Sequence, residues 1–117
     1  MLLSVGATIT IIKRMRRNNM GFYINPPNES KEIFLRREGR LEMNPKWPVE
    51  KDHFLVCLVD NGPFTAAAIA YKESEFKEFF SNPDDLRPKR WFLVDQKLVF
   101  DTLTPEEQTF LKIRMEE

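Results

Sequence analysis

The run HFLVCLVD at residues 53–60 constrains the fold of this chain more than any other stretch. Phe54, Leu55, Val56, Cys57, Leu58 and Val59 follow one another with no polar interruption. Branched and aromatic side chains favour extended backbone. A strand whose successive side chains are all apolar buries both of its faces, because neighbours point to opposite sides. Such a strand belongs in the middle of a sheet that is covered above and below. Asp60, Asn61, Gly62 and Pro63 then end it. Asn and Gly tolerate left-handed backbone, an Asp side chain bonds to nearby amides, and Pro fixes φ and removes a donor. DNGPFT reads first as a tight corner leaving a buried strand.

Other elements follow from the pattern on either side. GFYI (21–24) favours a short strand, which Pro26-Pro27 ends. Asn28 is a candidate cap for a helix over ESKEIFLRRE, with Gly39 as its stop. RLEMNPKWPVEKD (40–52) reads as a loop, with Trp47 over the edge of the core. TAAAIAY (65–71) reads both ways. Its alanines favour a helix that Thr65 can cap, whereas Ile69 and Tyr71 also suit a strand; the helix is the leading reading. In ESEFKEFFSNP (73–83), Phe76, Phe79 and Phe80 form one helical stripe, and Asn82-Pro83 stops it. DDLRPKR (84–90) is a charged loop. WFLVDQKLVFD (91–101) reads as a strand or a hairpin bent at Asp95-Gln96. TPEEQTFLKIRMEE (104–117) opens a helix with Thr104 as cap, Pro105 at the first position and Glu107 completing a capping box. Phe110, Leu111 and the stem of Arg114 form its docking face. The expected fold is α+β: a small mixed or antiparallel sheet of about four strands (21–24, 53–60, 91–94, 97–100), covered by about three helices (29–38, 73–81, 104–115).

With 117 residues there is room for one domain. The 18 basic and 18 acidic residues cancel, which argues against nucleic-acid binding through bulk charge. The balance hides an asymmetry. Lys13, Arg14, Arg16 and Arg17 give residues 1–19 a charge of +4, and residues 20–117 carry −4. The division is therefore a basic arm, 1–19, and a single α+β domain, 20–117. The arm is either a flexible tail or a translated upstream region. If Arg16-Arg17 is spelled AGG-AGG, the gene carries a ribosome-binding sequence just before a natural start at Met20. The lone Cys57 excludes an intrachain disulfide and fits a reducing cytoplasm. No apolar run reaches the roughly 18–20 residues that span a membrane. The basic residues follow MLLSVGATITII, whereas in a secretory signal they precede the apolar run.

Motifs that carry chemistry are sparse. His53 and Cys57 lie four apart on one strand face, about 13 Å along the chain, too far for a nucleophile and its base. Cys57 reads as a small core residue. One Cys and one His make no structural zinc site, and no phosphate-cradling glycine loop occurs, so no metal and no cofactor are expected. Asp84-Asp85 and Glu106-Glu107 read as loop charge and helix N-terminus rather than as an acid/base pair.

Two places can bind. At the corner, Asp60, Asn61 and Thr65 stand together at the end of the central strand. In RPKRW (87–91), Arg87, Lys89 and Arg90 gather positive charge beside Trp91, which either offers a stacking face or begins the strand facing the core. Trp47 is a further candidate anchor, since Arg and Trp dominate protein interfaces.

MGFYINPPNESKEIFL, LVDNGPFTAAAIAY and DDLRPKRWFLV together resemble a family of small uncharacterised proteins of bacteriophages, plasmids and other mobile elements. The resemblance runs from Met20 to about residue 100. It implies a phage or mobile-element setting, in which small accessory proteins often modulate a host or defence protein, and it carries no known activity.

The leading expectation is a non-enzymatic binding protein that docks onto a host or phage protein through Asp60, Asn61, Thr65, Arg87, Lys89, Arg90 and Trp47. One alternative is a nucleic-acid accessory protein using the Arg87–Trp91 loop, whose binding would fall steeply with salt. Another is a small-ligand binder or enzyme at the Asp60–Thr65 corner, which needs a deep pocket there.

Overall fold

The computed structural model describes residues 22–117, and within them the side chains of all but 79–81. The expected basic arm and the start at Met20 lie outside the described residues, as do the side chains of Phe79 and Phe80.

His53–Asn61 is a nine-residue strand, β3, and it is the middle of the sheet, as its apolar run requires. In chain order the other elements are β1 (Phe22–Tyr23), α1 (Lys31–Glu38), β2 (Gly39–Glu42), β4 (Phe64–Ala70), α2 (Glu73–Ser81), β5 (Lys89–Asp95), α3 (Gln96–Asp101) and α4 (Pro105–Glu116). The strands form one sheet in the order β1-β4-β3-β5-β2, and every pairing is antiparallel. The class is α+β, with five strands and four helices among the described residues against about four and three expected.

Alternation along β3 divides the core in two. Phe54, Val56 and Leu58 join Phe34 and Leu35 of α1, Val99 of α3 and Leu111 of α4 on one face. Leu55, Cys57 and Val59 join Ala68, Ala70, Phe76, Trp91 and Leu93 on the other, with Trp47 packed against them. Phe110, Leu111 and Arg114 are the buried residues of α4, the docking face expected for it. Its capping box is present: Thr104 Oγ1 accepts from Glu107 N at 3.2 Å, and Thr104 N donates to Glu107 Oε1 at 2.9 Å.

Four local expectations are corrected. The cap of α1 is Ser30, whose hydroxyl accepts from Ile33 N at 3.1 Å; Asn28 instead adopts left-handed backbone with φ 59°. Residues 65–70 are strand, not helix. Thr65 to Ala70 pair with Asp60 to Leu55 of β3, and Ala68 and Ile69 also pair with β1. Two rows of ladder bonds outweigh the helix propensity of alanine, a preference of well under 1 kcal/mol per residue. Residues 97–100 are helix, not strand. Asp95 already faces His53, the first residue of β3, and its carboxylate accepts from Lys97 N at 2.8 Å, capping α3. Finally, the loop expected at 40–52 yields residues 40–42 to β2, which is paired with β5. Gly39 joins α1 directly to β2 because the space for a side chain is missing: a Cβ there would lie 2.9 Å from both Leu35 O and Val94 Cγ2.

Candidate interaction surface

The β3–β4 hairpin, the start of β5 and the start of α1 meet at one end of the sheet. Asn61 pairs with Phe64, so Gly62-Pro63 is the whole loop. Gly62 is its first residue, with φ +65°, the sign that a two-residue hairpin needs to match strand twist. DNGPFT is thus the tight exit that its residues suggest.

The register brings part of the predicted set together. Asp60 lies opposite Thr65, and Leu58 lies opposite Arg90. Asp60 N also donates to Pro88 O at 3.1 Å. Alternation puts Asp60, Thr65 and Arg90 on the face that α1 covers. The Arg90 guanidinium donates to Glu32 on α1 and, at 3.4 Å, to Asp60 Oδ1. Arg36 lies 3.6 Å from the other oxygen of Glu32. The hydrogen bond from Arg90 and then its charge hold the Glu32 carboxyl below the usual carboxylate range. Arg90 therefore ties a helix to two strands.

Beside this tie is an open groove of about 320 Å³. Pro63, Phe64 and Thr65 of the hairpin form one wall; Pro26, Glu29 and Lys31 stand on the other. Phe64 is 71% exposed. Glu29 accepts two bonds from Arg37, at 2.7 and 2.9 Å. The acids on this rim are already held by arginines.

The remaining predicted residues lie elsewhere. Arg87 donates to both oxygens of Asp85, from Nε at 2.8 Å and from Nη2 at 2.7 Å. Lys89 Nζ sits 3.3 Å from Asp85 and donates to the carbonyls of Asp85 and Arg87. The bond from Arg87 holds the Asp85 carboxyl far below its ordinary value, and Asp85 in turn raises that of Arg87. By alternation Lys89 and Asn61 face away from Arg90 and Asp60. Trp47 belongs to that second face: it stacks on Phe76 with centroids 6.0 Å apart, and Phe76 meets Trp91 edge-on at 5.3 Å. Trp91 is buried in the core and offers no open stacking face.

Cys57 is fully buried, and burial pushes its thiol up to about 12, so it is protonated at neutral pH. The ring of His53 is engaged by Lys51 O, 2.8 Å from Nδ1. Among the described residues no group of three or more His, Cys, Asp or Glu is placed to hold a metal ion. No helix among them is long and apolar enough to cross a membrane.

Sequence reasoning missed Phe64, Glu29 and Glu32. Phe64 carries a signal in retrospect, as a large apolar residue directly after the hairpin turn. The two glutamates carry none, since only the packing of α1 against the sheet end brings them there.

No protein-family model, no curated protein and no solved structure matches this chain.

Proposed function

We propose that this chain is a non-enzymatic binding module that docks a partner protein at the hairpin end of its sheet. The observation that carries the reading is Phe64, a largely exposed aromatic ring beside an open groove whose rim carboxylates are paired internally. Aromatic anchors of this kind dominate interface energetics when a partner excludes water from them. The charge pairing selects the partner's chemistry. Glu29, Glu32 and Asp60 are each engaged by arginine, so an apolar partner segment fits better than a strongly basic one. The mobile-element resemblance supports a setting in which that partner is a host or defence protein.

The same pairing weighs against nucleic acid as the partner. Arg87 and Lys89 are engaged with Asp85, Arg90 with Glu32 and Asp60, and Trp91 is buried. Stacking platforms for single strands need an open ring beside free positive charge.

The test is a photo-crosslinking residue at position 64, used in cells that carry the gene, with Ile113 on α4 as the control position. One protein should crosslink from position 64 and not from 113. Its complex should survive high salt, and Phe64→Ala should weaken it at least about tenfold. Equal capture by Phe64→Ala, or a complex that dissolves as salt rises, would refute the reading.

A further inference from the structure

The two edges of the sheet are built differently. On one side β1 is two residues long and is followed by Pro26 and Pro27, which blunt the edge. On the other side β2 presents the outer edge of Gly39–Glu42, with no strand beyond it among the described residues. Leu41 is 42% exposed and the Arg40 side chain 64%, that of Glu42 28%, and Met43, just past the strand, is 79% exposed. A free edge alone says nothing about what pairs with it, but the order of charges on this one does.

We propose that β2 pairs antiparallel with β2 of a second copy of this chain, about a two-fold axis through Leu41, joining two five-stranded sheets into one. A two-fold strand pair is self-complementary, so each residue meets its mirror position in the same segment. With Leu41 opposite Leu41 of the second copy, Arg40 falls opposite the second copy's Glu42, and Glu42 opposite its Arg40. Both ion pairs lie on one face of the sheet, and the two leucines meet on the other. Directly opposite residues are in contact distance whether or not the pair is hydrogen-bonded, so the arrangement does not depend on which amides of β2 point outward. Within one chain Arg40 Nη2 reaches Glu42 Oε1 and Glu50 Oε1, each at 2.9 Å. Arg40 thus exchanges an ion pair along its strand for one across the axis. Edges that avoid pairing carry like charges, which would repel in this register; this edge carries opposite ones. The chain between β2 and β3 runs over the face that carries Arg40 and Glu42: with them, Pro48 and Val49 line a small cleft of about 150 Å³ over Leu55 and Leu93.

The test uses the full chain and its solution mass by sedimentation over a concentration series. The wild type should reach twice the 13.9 kDa chain mass. Arg40→Glu and Glu42→Arg should each weaken the dimer at least about tenfold, since each turns two opposite-charge pairs into like-charge pairs. The double variant Arg40→Glu/Glu42→Arg should regain the wild-type affinity, and the two single variants should dimerise when mixed. Arg40 is exposed and Glu42 partly so, and folding, checked by circular dichroism, should be unchanged. A wild type that stays monomeric at every concentration overturns the proposal, as do charge reversals without effect. The register has its own check. Leu41→Cys should oxidise to a linked dimer faster than Ile113→Cys, because only position 41 meets itself. Equal rates would exclude the axis through Leu41.

Discussion

Asp85 shows how a loop rich in charge becomes a structural clasp. Its carboxylate takes Arg87 on both oxygens and draws Lys89 to 3.3 Å, so the turn before β5 closes on itself. Asp85→Asn keeps the size and removes the charge; it should cost about 1 kcal/mol at neutral pH, a modest figure because Arg87 is half exposed. The pH dependence has a definite sign. The folded-state value of Asp85 is lowered from an ordinary 3.8, so its contribution is fully present above 3.8 and is lost as the pH falls toward the lowered value. Urea denaturation of both proteins should show a gap that is constant near neutrality and narrows in acid. A gap that widens in acid would contradict the clasp. The three basic residues of RPKRW were legible as a cluster. So was Asp85 as local counter-charge for Arg87 and Lys89, but the partners of Arg90 were not, because Asp60 and Glu32 lie 30 and 58 residues away from it.

Strand β4 is where local preference and tertiary context disagree most. Ala67, Ala68 and Ala70 suit a helix by propensity, yet each is fully buried in a strand. The small side chains have a use there. Ala68 lies opposite Cys57 on one side and Tyr23 on the other, in the cluster that holds Phe76 of α2, so alanine lets the helix lie close to the sheet. Ala68→Leu should therefore destabilise the protein by about 1–3 kcal/mol through overpacking. Thr65→Val, at an exposed position of the same strand, should stay within about 0.5 kcal/mol. Chemical denaturation of the pair checks this, and a neutral Ala68→Leu would show that α2 has room to spare. Element ends with their own chemistry were legible: Thr104, Pro105 and Glu107 mark the start of α4, and Asn82 the end of α2. The KLVF segment was not, because its apolar residues suit a strand or a helix equally and the cap at Asp95 decides between them.

The whole molecule is held by one strand that both layers share. Trp47 and Trp91 report the Phe76 face, whereas α1, α3 and α4 cover the other. Because β3 belongs to both, tryptophan fluorescence and far-ultraviolet circular dichroism should trace the same unfolding curve in urea; separate midpoints would mean that the two faces come apart independently. That central strand was legible from residues 53–60 alone, since six successive apolar side chains can be dry only in the middle of a covered sheet. So were the hairpin corner, the boundaries of α2 and α4, and the α+β class. These are local facts, set by side-chain period, caps and turn residues within a few positions of one another. Which strands flank β3, which of the candidate binding residues share a face, and that Phe64 stands open beside a groove depend on contacts between segments far apart in the chain. No short-range pattern encodes such contacts, because they are chosen by the packing of the whole.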